Sequence, residues 1–154
     1  MTCGETRPLA PDRSRPVACP TVSDVLIATD ADWIFDEVDA ALADDSTKVL
    51  RVRRGSDVIE ATRATSPGLI VLDMQIGRMG GIATALHLDQ EFDAGTTPVA
   101  PILLLLDRPA DVFLARRWEV DGWLIKPLDA FRLRRAARTL LSGMTYEEPS
   151  GLAS

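Results

Sequence analysis

Asp30, Asp73 and Lys126 are the residues of this chain best suited to chemistry, because each stands at the end of an apolar run. Val25-Leu-Ile-Ala28 leads through Thr29 to Asp30, Leu69-Ile-Val-Leu72 leads to Asp73, and Gly122-Trp-Leu-Ile125 leads to Lys126. Two carboxylates brought close together repel unless a cation sits between them. A hard divalent ion such as Mg²⁺ takes oxygen ligands and keeps several waters, so one or two carboxylates plus a carbonyl suffice. A lysine ammonium is a compact point charge suited to a phosphoryl oxygen. The three side chains are therefore the parts of an aspartyl-phosphate site with Asp73 as the nucleophile. Lys126 is also unexpected on composition, since 15 of the 17 basic residues are Arg and only Lys48 and Lys126 are Lys.

These residues converge only if the runs before them are parallel strands of one sheet. The run 69–72 is continuously apolar, follows Gly68 and precedes the Gly-rich stretch ending in Gly80-Gly81, as a strand buried on both faces would. Runs at 25–28, 48–52, 101–106 and 122–125 give four more strands. Between them the spacing predicts helices from Asp32, from Ser56 or Asp57, over 82–92, over 110–118 and over 130–141. Trp33, Ile34, Val38, Ala41 and Leu42 form the apolar set of the first helix, with Asp32 as its N-cap. Phe131, Leu133, Ala137, Leu140 and Leu141 form that of the last, capped by Asp129. Five strands alternating with five helices predict a doubly wound α/β fold, a three-layer sandwich around a parallel sheet. Strands one, three, four and five then deliver Thr29-Asp30, Asp73, Leu106-Asp107 and Lys126 to one edge, where sites of open α/β sheets are built.

Composition narrows the classes. A net charge of −6 argues against a general nucleic-acid binder, and direct DNA binding is not expected. Cys3 and Cys19 offer neither a disulfide framework nor metal spacing, which suits a reduced cytoplasmic protein. The run 25–28 is too short for a signal sequence or a membrane span. Residues 1–22, with Pro8, Pro11, Pro16 and Pro20 and few large apolar side chains, read as a flexible tail. The folded domain is expected over 23–142, with 143–154 as a loose C-terminal tail. His87, with Glu91 four residues on, reads as a surface or packing residue.

The stretch Leu69-Ile-Val-Leu-Asp73-Met-Gln-Ile-Gly-Arg-Met79-Gly-Gly81 resembles the phosphoacceptor segment of response-regulator receiver domains, which usually carry Pro where Gly77 stands. Asp121-Gly-Trp123-Leu-Ile-Lys126-Pro127 is similar to that family's Lys-Pro segment, and Leu-Ile-Ala-Thr29-Asp30 to its acidic pocket. The resemblance covers about residues 24–142 and implies a CheY-like, flavodoxin-like sheet in the order 2-1-3-4-5 known for chemotaxis receivers. It implies a single-domain response regulator of a two-component phosphorelay: a switch rather than an enzyme. A histidine kinase or phosphotransfer protein would phosphorylate Asp73, and a downstream protein partner would read the result. Asp30, Asp73 and the backbone carbonyl of Gln75 would hold Mg²⁺, Lys126 would pair with the phosphoryl group, and the Lys126–Pro127 bond would be cis. Leu106 and Trp123 occupy the family's two switch positions. Receivers carry partner contacts and dimerisation on the face of the fourth helix, fifth strand and fifth helix, where Arg116, Arg117, Arg132 and Arg135 would make a basic patch.

Two departures weaken the match in specific ways. Thr29 stands where the family has an acid, so one negative charge is gone and Mg²⁺ should bind more weakly. Leu106 stands where the family has Ser or Thr and cannot donate a hydrogen bond to a phosphoryl oxygen, while Asp107 next to it would oppose a phosphoryl group if it turned inward. These departures motivate an alternative, an atypical receiver that binds partners without phosphorylation. A more remote alternative is a haloacid-dehalogenase-type phosphohydrolase, since Asp30-Ala-Asp32 is similar to that family's nucleophile motif, although Trp33-Ile34 depart from it. A flavin carrier is disfavoured because the first strand lacks a phosphate loop.

Overall fold

The computed structural model describes residues 24–76 and 80–147. Strands β1 (Val25–Ala28), β2 (Val49–Val52), β3 (Leu69–Asp73), β4 (Ile102–Leu106), β5 (Gly122–Ile125) and β6 (Tyr146–Glu147) alternate with helices α1 (Asp32–Leu42), α2 (Val58–Thr65), α3 (Gly81–Ala94), α4 (Val112–Arg117) and α5 (Ala130–Leu141). One sheet in the order β2-β1-β3-β4-β5-β6 contains them all, and every pairing is parallel. The doubly wound α/β architecture expected from the alternation is present, as is the order 2-1-3-4-5 across its first five strands.

Alternation along the strands builds two cores. Leu26, Ala28, Ile70, Leu72, Leu104, Leu106 and Trp123 pack against α2, α3 and α4. Val25, Ile27, Leu69, Val71, Leu103, Leu105 and Leu124 pack against α1 and α5. Both faces of β3 and β4 are therefore apolar, which is why their sequences are unbroken apolar runs rather than alternating ones. The register sets Asp73 beside Leu105 and Leu106 beside Ile125, so the strands end at nearly one level.

The sheet is six-stranded rather than five-stranded. The loose tail expected over 143–154 is corrected in part: Tyr146 and Glu147 pair with Gly122 and Trp123, and the Tyr146 amide donates to the Asp121 carbonyl at 3.0 Å. Gly122 permits the approach, since a Cβ there would lie 3.0 Å from the Tyr146 carbonyl oxygen. The proposed N-terminal tail, with Cys3 and Cys19, lies outside the described residues, as do 148–154 and Gly77 to Met79 of the phosphoacceptor stretch.

The helices depart from the sequence reading at four points. Trp33 is 52% and Phe131 68% exposed. Ile34, Val38 and Ala41 form the buried stripe of α1, and Leu133, Ala136, Ala137 and Leu140 that of α5, so the aromatics preceding each stripe fall off the inner face. Asp32 is the first helical residue rather than the N-cap, a place taken by Ala31, and it pairs instead with Arg51 at 2.9 Å. Asp129 does cap α5, accepting from the Arg132 amide at 2.9 Å. A 3₁₀ turn, Pro109–Asp111, replaces the expected start of the fourth helix. Among the described residues no helix is long and apolar enough to cross a membrane.

Candidate functional site

Asp73 closes β3 with its side chain inside the protein, 1% exposed. A carboxylate so placed must have partners. Its Oδ1 accepts from the Lys126 ammonium at 2.7 Å and from the Gln75 amide at 3.0 Å. Its Oδ2 accepts from the Thr29 hydroxyl at 2.7 Å. The Thr29 hydroxyl itself accepts from the Ala31 amide at 3.0 Å, so the turn after β1 is tied through one oxygen to the nucleophile candidate. Each carboxylate oxygen carries two lone pairs, so Oδ2 keeps capacity for another ligand.

Lys126 follows β5, and its amide donates to the Leu106 carbonyl at 2.9 Å, which holds its backbone beside the end of β4. The peptide bond between Lys126 and Pro127 is cis. The ammonium reaches two carboxylates, Asp73 and Asp107, each at 2.7 Å, and is only 12% exposed. Asp107 thus turns inward, and its Oδ2 also accepts from the Gln75 side-chain amide at 2.6 Å. Partial burial pushes the Asp107 carboxyl up, but the hydrogen bonds from Lys126 and Gln75 outweigh it and hold the group below the ordinary carboxylate value.

The two residues expected at switch positions are both interior. Leu106 is fully buried, and Trp123 is 2% exposed in the same core. The Arg116 guanidinium lies over the Trp123 ring, 5.6 Å from its centroid, while the indole Nε1 is buried without a hydrogen-bond partner.

Asp30 is exposed beside this cluster rather than drawn into it. Among the described residues no group of three or more His, Cys, Asp or Glu could hold a metal ion, and Thr29 beside Asp73 brings a hydroxyl rather than a carboxylate. The oxygens of Asp30, Asp73 and the Gln75 carbonyl still suit a hard divalent cation in kind, with fewer charges than a closed acidic cage.

The expected basic patch is divided. Arg132 is corrected: its guanidinium donates to the carbonyls of Pro127 at 2.7 Å and Ile125 at 2.8 Å, gripping the chain on both sides of Lys126. Charge on the outer side of a helix suggested solvent, but the turn before α5 folds back within reach. Arg116, Arg117 and Arg135 are exposed as expected. Arg116 approaches Glu147 at 3.9 Å, and Arg117 lies over Trp118.

Three positioning residues were not singled out from the sequence. Gly81 begins α3 with no room for a side chain: a Cβ would sit 2.8 Å from the Asp73 carbonyl oxygen and 2.9 Å from the Met74 Cα. Gly80 before it has φ of +79°, a conformation that disfavours side chains. The Gly-Gly pair was the legible signal, read only as a helix start. Arg51 donates from Nε to the Thr29 carbonyl at 3.1 Å and packs over Phe35, bracing the turn after β1. A charged residue in a short apolar strand was its only trace.

A family model described as the response regulator receiver domain matches residues 25–138. No curated protein matches. Among solved structures, the isolated receiver domain of RcsB from Salmonella enterica serovar Typhimurium superposes with a TM-score of 0.70 at 17% identity, covering 85% of this chain and 96% of that one. The signal receiver domain of a histidine kinase from Syntrophus aciditrophicus gives a TM-score of 0.67 at 26% identity, over 79% and 91% of the two chains. The chemotaxis response regulator CheY4 of Vibrio cholerae gives 0.68 at 22% identity, over 79% and 100%. With the strand-end cluster and all five helices inside or touching the matched span, the chain belongs to the response regulator receiver domain family.

Proposed function

We propose that Asp73 is the phosphoacceptor of a two-component phosphorelay and that the chain signals through protein contacts. The observation that carries this reading is the Lys126 ammonium 2.7 Å from a carboxylate that is itself 1% exposed and oriented by Thr29 and Gln75. An oriented carboxylate oxygen attacks the phosphorus of phosphohistidine on a kinase or phosphotransfer partner. The P–O bond forms as the P–N bond breaks, and the electron pair leaves on the imidazole nitrogen, which takes a proton from solvent. Lys126 supplies a fixed positive charge beside the transferring group, without reorganisation at the moment of transfer. Mg²⁺, held by Asp30, Asp73 and the Gln75 carbonyl, would neutralise further phosphoryl charge when bound. Exposed Arg116, Arg117 and Arg135 offer a basic surface to an acidic downstream partner or a second copy. The chain is a switch in this reading, not a turnover catalyst, and the cytoplasm is its compartment.

Incubation with acetyl phosphate and Mg²⁺ tests it. The intact mass should rise by one phosphoryl group in the wild type and not in Asp73→Asn. An unchanged wild-type mass refutes it.

A second reading, a binding module independent of phosphorylation, is favoured by one observation: Leu106 is buried and apolar, so it has no hydroxyl with which to report a phosphoryl group. Beryllofluoride with Mg²⁺ separates the two. A change in tryptophan fluorescence together with altered partner binding excludes the second reading.

A further inference from the structure

Asp107 is the first residue after β4, and its carboxylate joins three strand-end turns. It sits on the turn after β4, accepts from Gln75 after β3 at 2.6 Å, and pairs with Lys126 after β5 at 2.7 Å. Two carboxylates, Asp73 and Asp107, therefore share one ammonium, leaving one unit of negative charge. Phosphorylation of Asp73 turns a singly charged carboxylate into an acyl phosphate with a further negative charge and three strong acceptor oxygens. Those oxygens would compete with Asp107 for the same ammonium, and like charges at this range repel strongly.

We propose, resting on the phosphoacceptor reading, that Asp107 is the switching residue of this receiver. Its carboxylate occupies Lys126 in the unmodified protein and is expelled when Asp73 carries a phosphoryl group. Leu106 has no hydroxyl to be pulled toward that group, so the turn after β4 responds by a push from Asp107 instead.

The turn is built to carry such a displacement. Immediately after Asp107, the Arg108 amide donates to Asp111 at 3.2 Å and the Arg108 guanidinium pairs with Asp111 at 3.0 Å. Asp111 is 5% exposed, so the Pro109–Asp111 turn is a braced unit leading directly into α4. On α4, Arg116 lies over the Trp123 ring and approaches Glu147 of β6. A shift at Asp107 thus reaches Trp123 and the edge of the sheet through one short segment, with no need for a hydroxyl at position 106.

The test titrates the full chain with beryllofluoride and Mg²⁺ while following backbone amide NMR shifts, in the wild type, Asp107→Asn and Asp107→Ala. Two variants are used because Asn keeps the shape and a hydrogen-bonding oxygen, while Ala removes both. In the wild type, amides of residues 108–118 should shift on binding. In Asp107→Ala those amides should already be displaced in the free protein, whereas in Asp107→Asn they should stay near their wild-type positions and shift less on binding. In both variants beryllofluoride should bind about tenfold tighter, the effect of removing one like charge at this range. Equal affinity in all three proteins, with residues 108–118 responding alike, overturns the role of Asp107 and leaves the phosphoacceptor reading standing. Absence of beryllofluoride binding in all three overturns the phosphoacceptor reading and the switch built on it.

Discussion

Replacing Lys126 by Met removes the positive charge from between Asp73 and Asp107 while keeping most of the side chain's bulk. Asp107 is 25% exposed at its side chain and recovers solvent, whereas Asp73, at 1%, does not. Stripping one partner from a buried ion pair typically costs about 3–5 kcal/mol, because the remaining charge is left uncompensated. Asp73 keeps the Thr29 hydroxyl and the Gln75 amide, two charge-assisted hydrogen bonds, so the lower end of that range applies, about 3 kcal/mol. At about 2.1 cal/mol/K per residue, the roughly 120 residues from 24 to 147 give an unfolding entropy near 250 cal/mol/K, so Tm should fall by about 12 °C. Urea denaturation of the wild type, Lys126→Met, Asp73→Asn and the double variant measures it. Asp73→Asn alone should cost about 1 kcal/mol, since Lys126 keeps Asp107. The double variant should be about 2 kcal/mol more stable than Lys126→Met, because the neutral amide leaves no buried charge. A Lys126→Met variant within about 0.5 kcal/mol of the wild type, or a double variant no more stable than it, would show that the charge pairing is not what holds the site together.

Three further outcomes follow from the same geometry. Thr29→Asp places a second buried acid against Asp73, so it should lower Tm in EDTA, and millimolar Mg²⁺ should raise its Tm by several degrees more than it raises the wild type's; equal Mg²⁺ responses would argue against a cation site here. Gly81→Ala drives a Cβ against the Asp73 carbonyl oxygen and should destabilise by about 1–3 kcal/mol in urea while reducing phosphorylation by acetyl phosphate, whereas wild-type stability would mean that α3 shifts without strain. Glu91 accepts from Thr96 and pairs with Arg63, which hold its carboxyl below 4.5; NMR titration should find it there, and the stability this pairing adds should be present above 4.5 and lost as pH falls through the lowered value, both effects shrinking in Arg63→Ala.

The alternation of apolar runs and amphipathic segments was enough, read along the chain alone, to determine a parallel doubly wound sheet and the edge at which Asp73, Leu106-Asp107 and Lys126 meet. Strand ends are set by where continuous apolar runs stop, and that is local information. The rarity of Lys against Arg singled out Lys126 for the same reason: residue identity is visible without coordinates. What each of these side chains contacts depends on groups far apart in sequence, and no periodicity records it. Only the tertiary structure decided that Thr29 bonds Asp73 while Asp30 stays exposed, and that Arg132 grips the Lys126 turn instead of facing a partner. It decided that Trp33 and Phe131 lie outside their helices' buried stripes, since one residue's rotation about a helix separates core from solvent. Two residues near the C-terminal end found a place on β5 because Gly122 leaves room for them, a fit between surfaces rather than a property of either segment. Above all it turned Asp107 inward, where one ammonium satisfies two carboxylates, because burial makes a shared counter-charge worth more than separate solvation.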